Sequence, residues 1–187
     1  SCVMSSLKVP IDTTPGNYQA SILCGQQKTP IEVIVLENRE IMIEPRHFSL
    51  RGTSGETVSF QLAITNLGNV PITLGDVGMV WFREQDWIGR TLVYALRETA
   101  PNESLEEFGN RLLHRFHDEI VPTAKVQFEP SKINALPAGK STSRTLSLAL
   151  PVGLKKGRRY LGFIKINEER IWLEVYCTPS TLAPEQK

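Results

Sequence analysis

Val58-Ser59-Phe60-Gln61-Leu62-Ala63-Ile64 decides the fold class. Val58, Phe60, Leu62 and Ile64 fall on one parity, while Ser59, Gln61 and Ala63 fall on the other. Strand side chains point to opposite faces in turn, so the segment buries one face and wets the other. The pattern recurs on both sides. Tyr18, Ala20, Ile22 and Cys24 alternate with Gln19, Ser21 and Leu23, and Leu146, Leu148 and Leu150 alternate with Ser147 and Ala149. Shorter β-like runs cover 41–43, 79–82, 92–96, 125–128, 160–166 and 171–176.

Turn chemistry separates these runs. Pro15-Gly16-Asn17, Gly52-Thr53-Ser54-Gly55, Asn66-Leu67-Gly68-Asn69 and Pro137-Ala138-Gly139 carry residues that accept or preset tight-turn backbone angles. Many short strands joined this way predict an all-β, immunoglobulin-like sandwich.

One segment, about 104–119, breaks the period. Leu105, Phe108, Leu112 and Phe116 fall at helical spacing, and Ser104 with Glu107 forms a capping box in which each side chain satisfies a free backbone donor. Pro101 precedes it and Pro122 follows it. The reading is one amphipathic helix inserted between strands, weakened at Gly109 by about 1 kcal/mol relative to alanine.

The bulk properties exclude more than they choose. The 187 residues, 41% apolar and 22% charged, suit one large or two small globular domains. A formal charge of +1 gives no electrostatic reason to expect nucleic acid. No apolar run approaches a membrane span, and the one around Ile31 to Leu36 suits a buried strand. The chain opens on Ser1 with no basic-plus-apolar leader, as expected of a processed or excised N-terminus. Cys2, Cys24 and Cys177 show no metal-ligand spacing; either two of them form a disulfide or all three are buried thiols.

The chain also repeats itself. Ser6-Leu7-Lys8-Val9-Pro10 is followed by Gly16, Tyr18, Ile22 and the run Ile31, Val33, Val35. Ser147-Leu148-Ala149-Leu150-Pro151 is followed by Gly157, Tyr160, Ile164 and the run Ile171, Leu173, Val175. In this alignment the turn before the last strand differs by two residues and the step from Gly to Tyr by one. Both copies read as the last three strands of an immunoglobulin-like unit. Residues 1–37 are then either the tail of an upstream domain or strands lent to the main sandwich, 38–178 is that sandwich, and 179–187 is a flexible tail.

The main unit has a recognisable cadence: Ile43-Glu44-Pro45, Phe48, Leu50, Gly55-Glu56, Asn66-Leu67-Gly68-Asn69, Pro71-Ile72, Leu136-Pro137-Ala138-Gly139, and Leu150-Pro151 through Gly157 to Tyr160. It resembles the bacterial and archaeal immunoglobulin-like modules of the NEW3 and surface-layer type, from which the stretch 85–122 departs. The resemblance implies a spacer, adhesive unit or accessory domain of the cell envelope or of secreted proteins, with no shared catalytic residues. The Pro45-x-x-Phe48 opening and the Asn-rich turn also look like major-sperm-protein and ciliary immunoglobulin-like domains, which are intracellular interaction modules.

No nucleophile elbow, phosphate-binding loop or dinucleotide fingerprint is present, so no catalytic residue and no cofactor is expected. His114 and His117 are spaced to share a helix face, but no third metal ligand is identifiable, so the pair reads as a solvated face. Lys155, Lys156, Arg158 and Arg159 form the one dense basic cluster, suited to an anionic partner or to a solvated hairpin. Trp81 is expected in the core, while Trp87 is either core or a binding aromatic. Asn102-Glu103-Ser104 matches a glycosylation sequon, though the capping box already accounts for its serine.

The expected function is a non-catalytic module of the periplasm, cell surface or extracellular space that acts through protein contacts. The candidate surface comprises Trp87, Arg90, Leu105, Arg111, His114, Arg115 and the basic cluster. A truncated unit at 1–37 would expose a sheet edge and favour self-association. The alternatives are a carbohydrate-binding accessory module reading sugar through Trp87, and a cytoplasmic immunoglobulin-like interaction domain.

Overall fold

A computed structural model of the chain describes residues 6–118, 123–130 and 135–179. In chain order its elements are β1 (Gly16–Cys24), β2 (Gln27–Val35), β3 (Ile41–Glu44), β4 (His47–Gly52), β5 (Thr57–Asn66), β6 (Met79–Val80), β7 (Arg83–Glu84), α1 (Trp87–Arg97), α2 (Leu105–Asp118), β8 (Ala124–Glu129), β9 (Ser141–Ala149), β10 (Arg159–Ile166) and β11 (Glu169–Cys177). β3 to β11 form an immunoglobulin-like sandwich of two sheets, ordered β3-β5-β9-β8-β6 and β4-β11-β10-β7.

The alternation works as the chemistry requires. Phe60, Leu62 and Ile64 of β5 are buried, with Leu146 and Leu148 of β9 beside them. They join Tyr160, Ile164, Ile171, Leu173 and Val175 from the facing sheet in one core. Each large side chain so removed from water stabilises the fold by about 1.5–3 kcal/mol. β4 closes the second sheet by running parallel to β11, placing Phe48 opposite Leu173 and Leu50 opposite Val175. Opposite-running strands alone would fit a simple meander; this parallel pair requires the chain to cross between the sheets.

The helical insertion contains two helices rather than one. α2 begins where the capping box places it: the Ser104 backbone N–H donates to Glu107 Oε2 at 2.8 Å, and the Glu107 N–H donates to Ser104 Oγ at 3.2 Å. α1 replaces the strand expected at 92–96. An all-apolar run of five residues has no period of its own, and here the longer window decides, with Thr91 and Ala95 buried one turn apart. The last residue of the expected helix, Glu119, and Pro122 lie outside the described residues.

The two segments aligned as a repeat share one hairpin register, and it differs from the sequence alignment. Both copies are antiparallel hairpins with two-residue loops, Gly25-Gln26 between Cys24 and Gln27 and Asn167-Glu168 between Ile166 and Glu169. The first loop residue is left-handed in each, with φ of 63° at Gly25 and 52° at Asn167. Tyr18 faces Val33 as Tyr160 faces Val175, and Ile22 faces Thr29 as Ile164 faces Ile171. Ile171 therefore corresponds to Thr29, not Ile31, and the apparent difference of two residues vanishes. Residues 6–10 form no strand, so the N-terminal copy supplies two strands where three are expected, and they make a sheet of their own.

The Asn66–Asn69 turn holds the junction between hairpin and sandwich. Asn66 Nδ2 donates to the carbonyls of Val70 and Leu136, at 2.8 and 3.0 Å, and its Oδ1 accepts from Gly68 N–H. The backbone N–H groups of Leu67 and Gly68 both donate to Glu40 O. Asn69 Nδ2 reaches Leu36 O at 2.9 Å. The linker is thus clamped by a turn rather than left to swing.

Candidate aromatic binding cleft

All three tryptophans of the chain meet on the outer face of the β4-β11-β10-β7 sheet. They line an open cleft of about 620 Å³ together with Phe82, Phe163, Leu161 and His47. Alternation places them there. Ile171 and Leu173 point into the core, so Trp172 between them must point out, and its cross-strand partner Phe163 does the same. Their rings lie 5.5 Å apart. Trp172 is 50% exposed and Phe163 is 42% exposed, a large apolar area left in water.

Gly162 makes the cleft floor close. A Cβ there would stand 2.8 Å from Val80 Cγ2 and 2.9 Å from the Trp81 carbonyl, so only glycine lets the 79–84 segment lie against β10. That segment ends in β7, whose Glu84 pairs with Tyr160. Trp81, expected in the core, instead forms the rim at 79% exposure. Its neighbours Val80 and Phe82 take the inward positions, and the period-two rule leaves Trp81 outside. Trp87 is half-buried at the start of α1, held edge-to-face by Phe116 of α2 at 5.3 Å. It is a fixed wall of the cleft.

Behind that wall lies a buried carboxylate that the sequence reading passed over. Glu84 is 3% exposed and receives Arg90 through both terminal guanidinium nitrogens, with Nη2–Oε2 at 2.8 Å. Arg158 Nε stands 3.5 Å from the same carboxylate. An ionised group this deep is tolerated when it is paired, and the pairs pin α1 to β7 and to the turn before β10.

Arg111 does the equivalent for α2. Its Nε and Nη2 clasp Glu103 at 2.8 and 2.6 Å, and its Nη1 donates to Ala95 O at the end of α1 at 2.8 Å. The guanidinium holds the Glu103 carboxyl below the usual carboxylate range, and its own pKa is raised in return. The Ser104 N–H and hydroxyl lower Glu107 in the same way.

The expected interaction residues therefore divide. Trp87 belongs to the aromatic cleft. Arg90, Arg115, Lys155 and Arg158 come together around a second cleft of about 430 Å³ with Tyr94, Glu98 and Asp118. There Arg115 pairs with Glu98, and Arg90 and Arg158 with Glu84, so much of the basic charge is answered from within the chain. Arg159 turns to Glu174 at 3.3 Å, away from the others, and Lys156 is exposed. Leu105 is exposed at the start of α2, and His114 and His117 lie on its exposed side. Among the described residues no group of three or more His, Cys, Asp or Glu is arranged to hold a metal ion. Cys177 is a buried free thiol whose Sγ lies 3.6 Å from the Leu154 carbonyl, and burial pushes its pKa up. Of the other two cysteines considered for a disulfide, Cys2 and the side chain of Cys24 lie outside what is described. No described helix is long and apolar enough to cross a membrane.

Trp172 was legible in advance, since it stands out of phase with Ile171, Leu173 and Val175. Its meeting with Trp81 and Trp87 was not, because those residues lie far away in sequence.

No protein-family model matches the chain, and no curated protein matches it. Among solved structures it is similar to an ASH/PapD-like domain of human CEP192, with 12% identity over 75% of this chain and 86% of that one, at a TM-score of 0.38. It is also similar to the secreted serine protease VesC from Vibrio cholerae, with 13% identity over 78% of this chain and 24% of that one, at a TM-score of 0.28. Scores of this size decide neither fold nor activity; the immunoglobulin-like assignment rests on strand order, register and core.

Proposed function

We propose that this protein is a non-catalytic interaction module that holds a protein segment in the Trp81–Trp87–Trp172 cleft. The observation that carries the reading is the convergence of every tryptophan in the chain on one open, largely apolar site. Tryptophan offers a wide, rigid contact face at little entropic cost and is the residue most enriched in binding hot spots. The partner segment is apolar or proline-containing and extended, because an aromatic-lined groove on a flat sheet face matches that shape. A sugar needs several free hydrogen-bonding side chains beside its stacking platform. Of the polar side chains lining the cleft, Glu84 is committed to Arg90 and Arg158, which leaves His47 and Arg83 beside a mostly apolar wall and favours protein over glycan.

A location in the periplasm, at the cell surface or outside the cell belongs to this reading through the resemblance of 43–72 and 136–160 to envelope modules. Cross-linking and capture from fractionated native cells, with wild type beside Trp81→Ala/Trp172→Ala, tests both parts. A protein captured from the envelope or secreted fraction by wild type and lost by the double variant is expected. Capture confined to cytoplasmic proteins would overturn the location. A glycan-array signal lost on the same substitutions, with no protein captured, would replace the partner class with carbohydrate.

A further inference from the structure

We infer that the β1–β2 hairpin is the closing hairpin of a second immunoglobulin-like unit, and that chain N-terminal to Ser1 supplies the sheet that covers its apolar face and a strand that runs parallel to β2. The inference is separate from the aromatic cleft and stands or falls without it.

The internal repeat says what belongs on the hairpin. One shift of 142 positions takes Tyr18 to Tyr160, Ile22 to Ile164, Val33 to Val175 and Val35 to Cys177, with identical pairing and identical loop length. In the C-terminal copy these positions are the core: Tyr160 and Ile164 are 1% exposed, and Val175 and Cys177 are fully buried. In the N-terminal copy the same apolar parity is uncovered, with Tyr18 at 38% and Ile22 at 40%, and none of the residues of β1 and β2 whose burial is described is buried. A two-stranded hairpin with an open apolar face is marginal in water on its own. Residues 6–15 do not cover it, since Leu7, Val9 and Ile11 are themselves exposed.

The edge makes the same argument. β11 is flanked on its outer side by the parallel strand β4, with Trp172 N–H donating to Arg46 O at 2.8 Å and Thr178 N–H to Gly52 O at 2.9 Å. Among the described residues the matching outer edge of β2 has no strand beside it. Pro30 stands at the position of Trp172 and has no N–H to offer, so the edge amides of the N-terminal copy are those of Glu32, Ile34 and Leu36. The source is placed N-terminal because in the complete copy the hairpin is the last element, and the strands that cover it come earlier in the chain. A second copy of this chain cannot lend its own β4, which is already paired with β11.

Residue-resolved amide hydrogen exchange on the full-length polypeptide tests this, with sedimentation velocity on residues 1–187 alone. The expected result is that the Glu32, Ile34 and Leu36 amides are protected to the same degree as those of Glu174, Tyr176 and Thr178. Val33→Lys is then expected to remove protection from β1 and β2 by at least tenfold while residues 38–178 keep theirs. Free exchange of those three amides in the full-length polypeptide would overturn the inference. So would their protection in residues 1–187 alone together with a doubled mass, which would make a second copy the occupant.

Discussion

Asn69 and Asn38 hold each other twice: the Asn69 N–H donates to the Asn38 carbonyl at 3.0 Å, and the Asn38 N–H donates to Asn69 Oδ1 at 2.7 Å. With Asn69 Nδ2 on the Leu36 carbonyl, one side chain satisfies two backbone groups of the linker. Asn69→Ala leaves both without their partner and should cost about 1–3 kcal/mol, read as a lower urea midpoint. Gly68→Ala should cost more, because a Cβ there would lie 2.2 Å from the Asn38 carbonyl oxygen. Equal midpoints for wild type and both variants would mean the clamp contributes nothing to stability.

Trp81 and Trp87 should separate stability from binding. Trp81 is a rim residue in solvent, so Trp81→Ala should change stability by no more than about 0.5 kcal/mol while abolishing partner capture. Trp87 is packed on Phe116, so Trp87→Ala should lower stability as well as binding, by about 1–3 kcal/mol. Thermal unfolding of the two variants, run beside the capture assay, distinguishes them.

Gly162→Ala tests the floor of the cleft. The added methyl meets Val80 and the Trp81 carbonyl below 3.0 Å, and overpacking of this kind costs about 1–3 kcal/mol. The 79–84 segment should lift from β10, changing the tryptophan emission maximum along with the unfolding midpoint.

Acid should loosen α2. Glu103 and Glu107 have folded-state pKa values below their unfolded values, Glu103 through Arg111 and Glu107 through the Ser104 N–H and hydroxyl. Their contributions are therefore fully present above the unfolded value of about 4.3 and are lost as pH falls through the folded values. Urea midpoints should drop on acidification below that point. In Arg111→Met the Glu103 part is absent at every pH, so the variant should be less stable at neutrality and less sensitive to acid.

Cys177 should behave as a closed thiol. In a Cys2→Ser/Cys24→Ser background, reaction with a disulfide reagent at pH 8 should be slow in the folded protein and immediate in denaturant, since burial disfavours the thiolate. Fast native reaction would show that the Cys177 pocket opens readily.

The sequence by itself determined whatever is local or periodic. Alternation located β5, β9, β10 and β11 and their inward faces, and the Ser104–Glu107 box located the start of α2. These follow from nearest-neighbour geometry, which a single strand or turn already contains. The helix at 87–97 escaped because five consecutive apolar residues carry no period, and only packing of Thr91 and Ala95 settled their conformation. Trp81 was misplaced because Met79-Val80-Trp81-Phe82 is apolar at every position, so no alternation marks its inward face. The cleft, the Glu84–Arg90 pair and the parallel join of β4 to β11 were decided by tertiary structure alone. Each brings together residues whose positions depend on sheet order, and sheet order is set by which buried faces fit one another, which no local stretch of sequence contains.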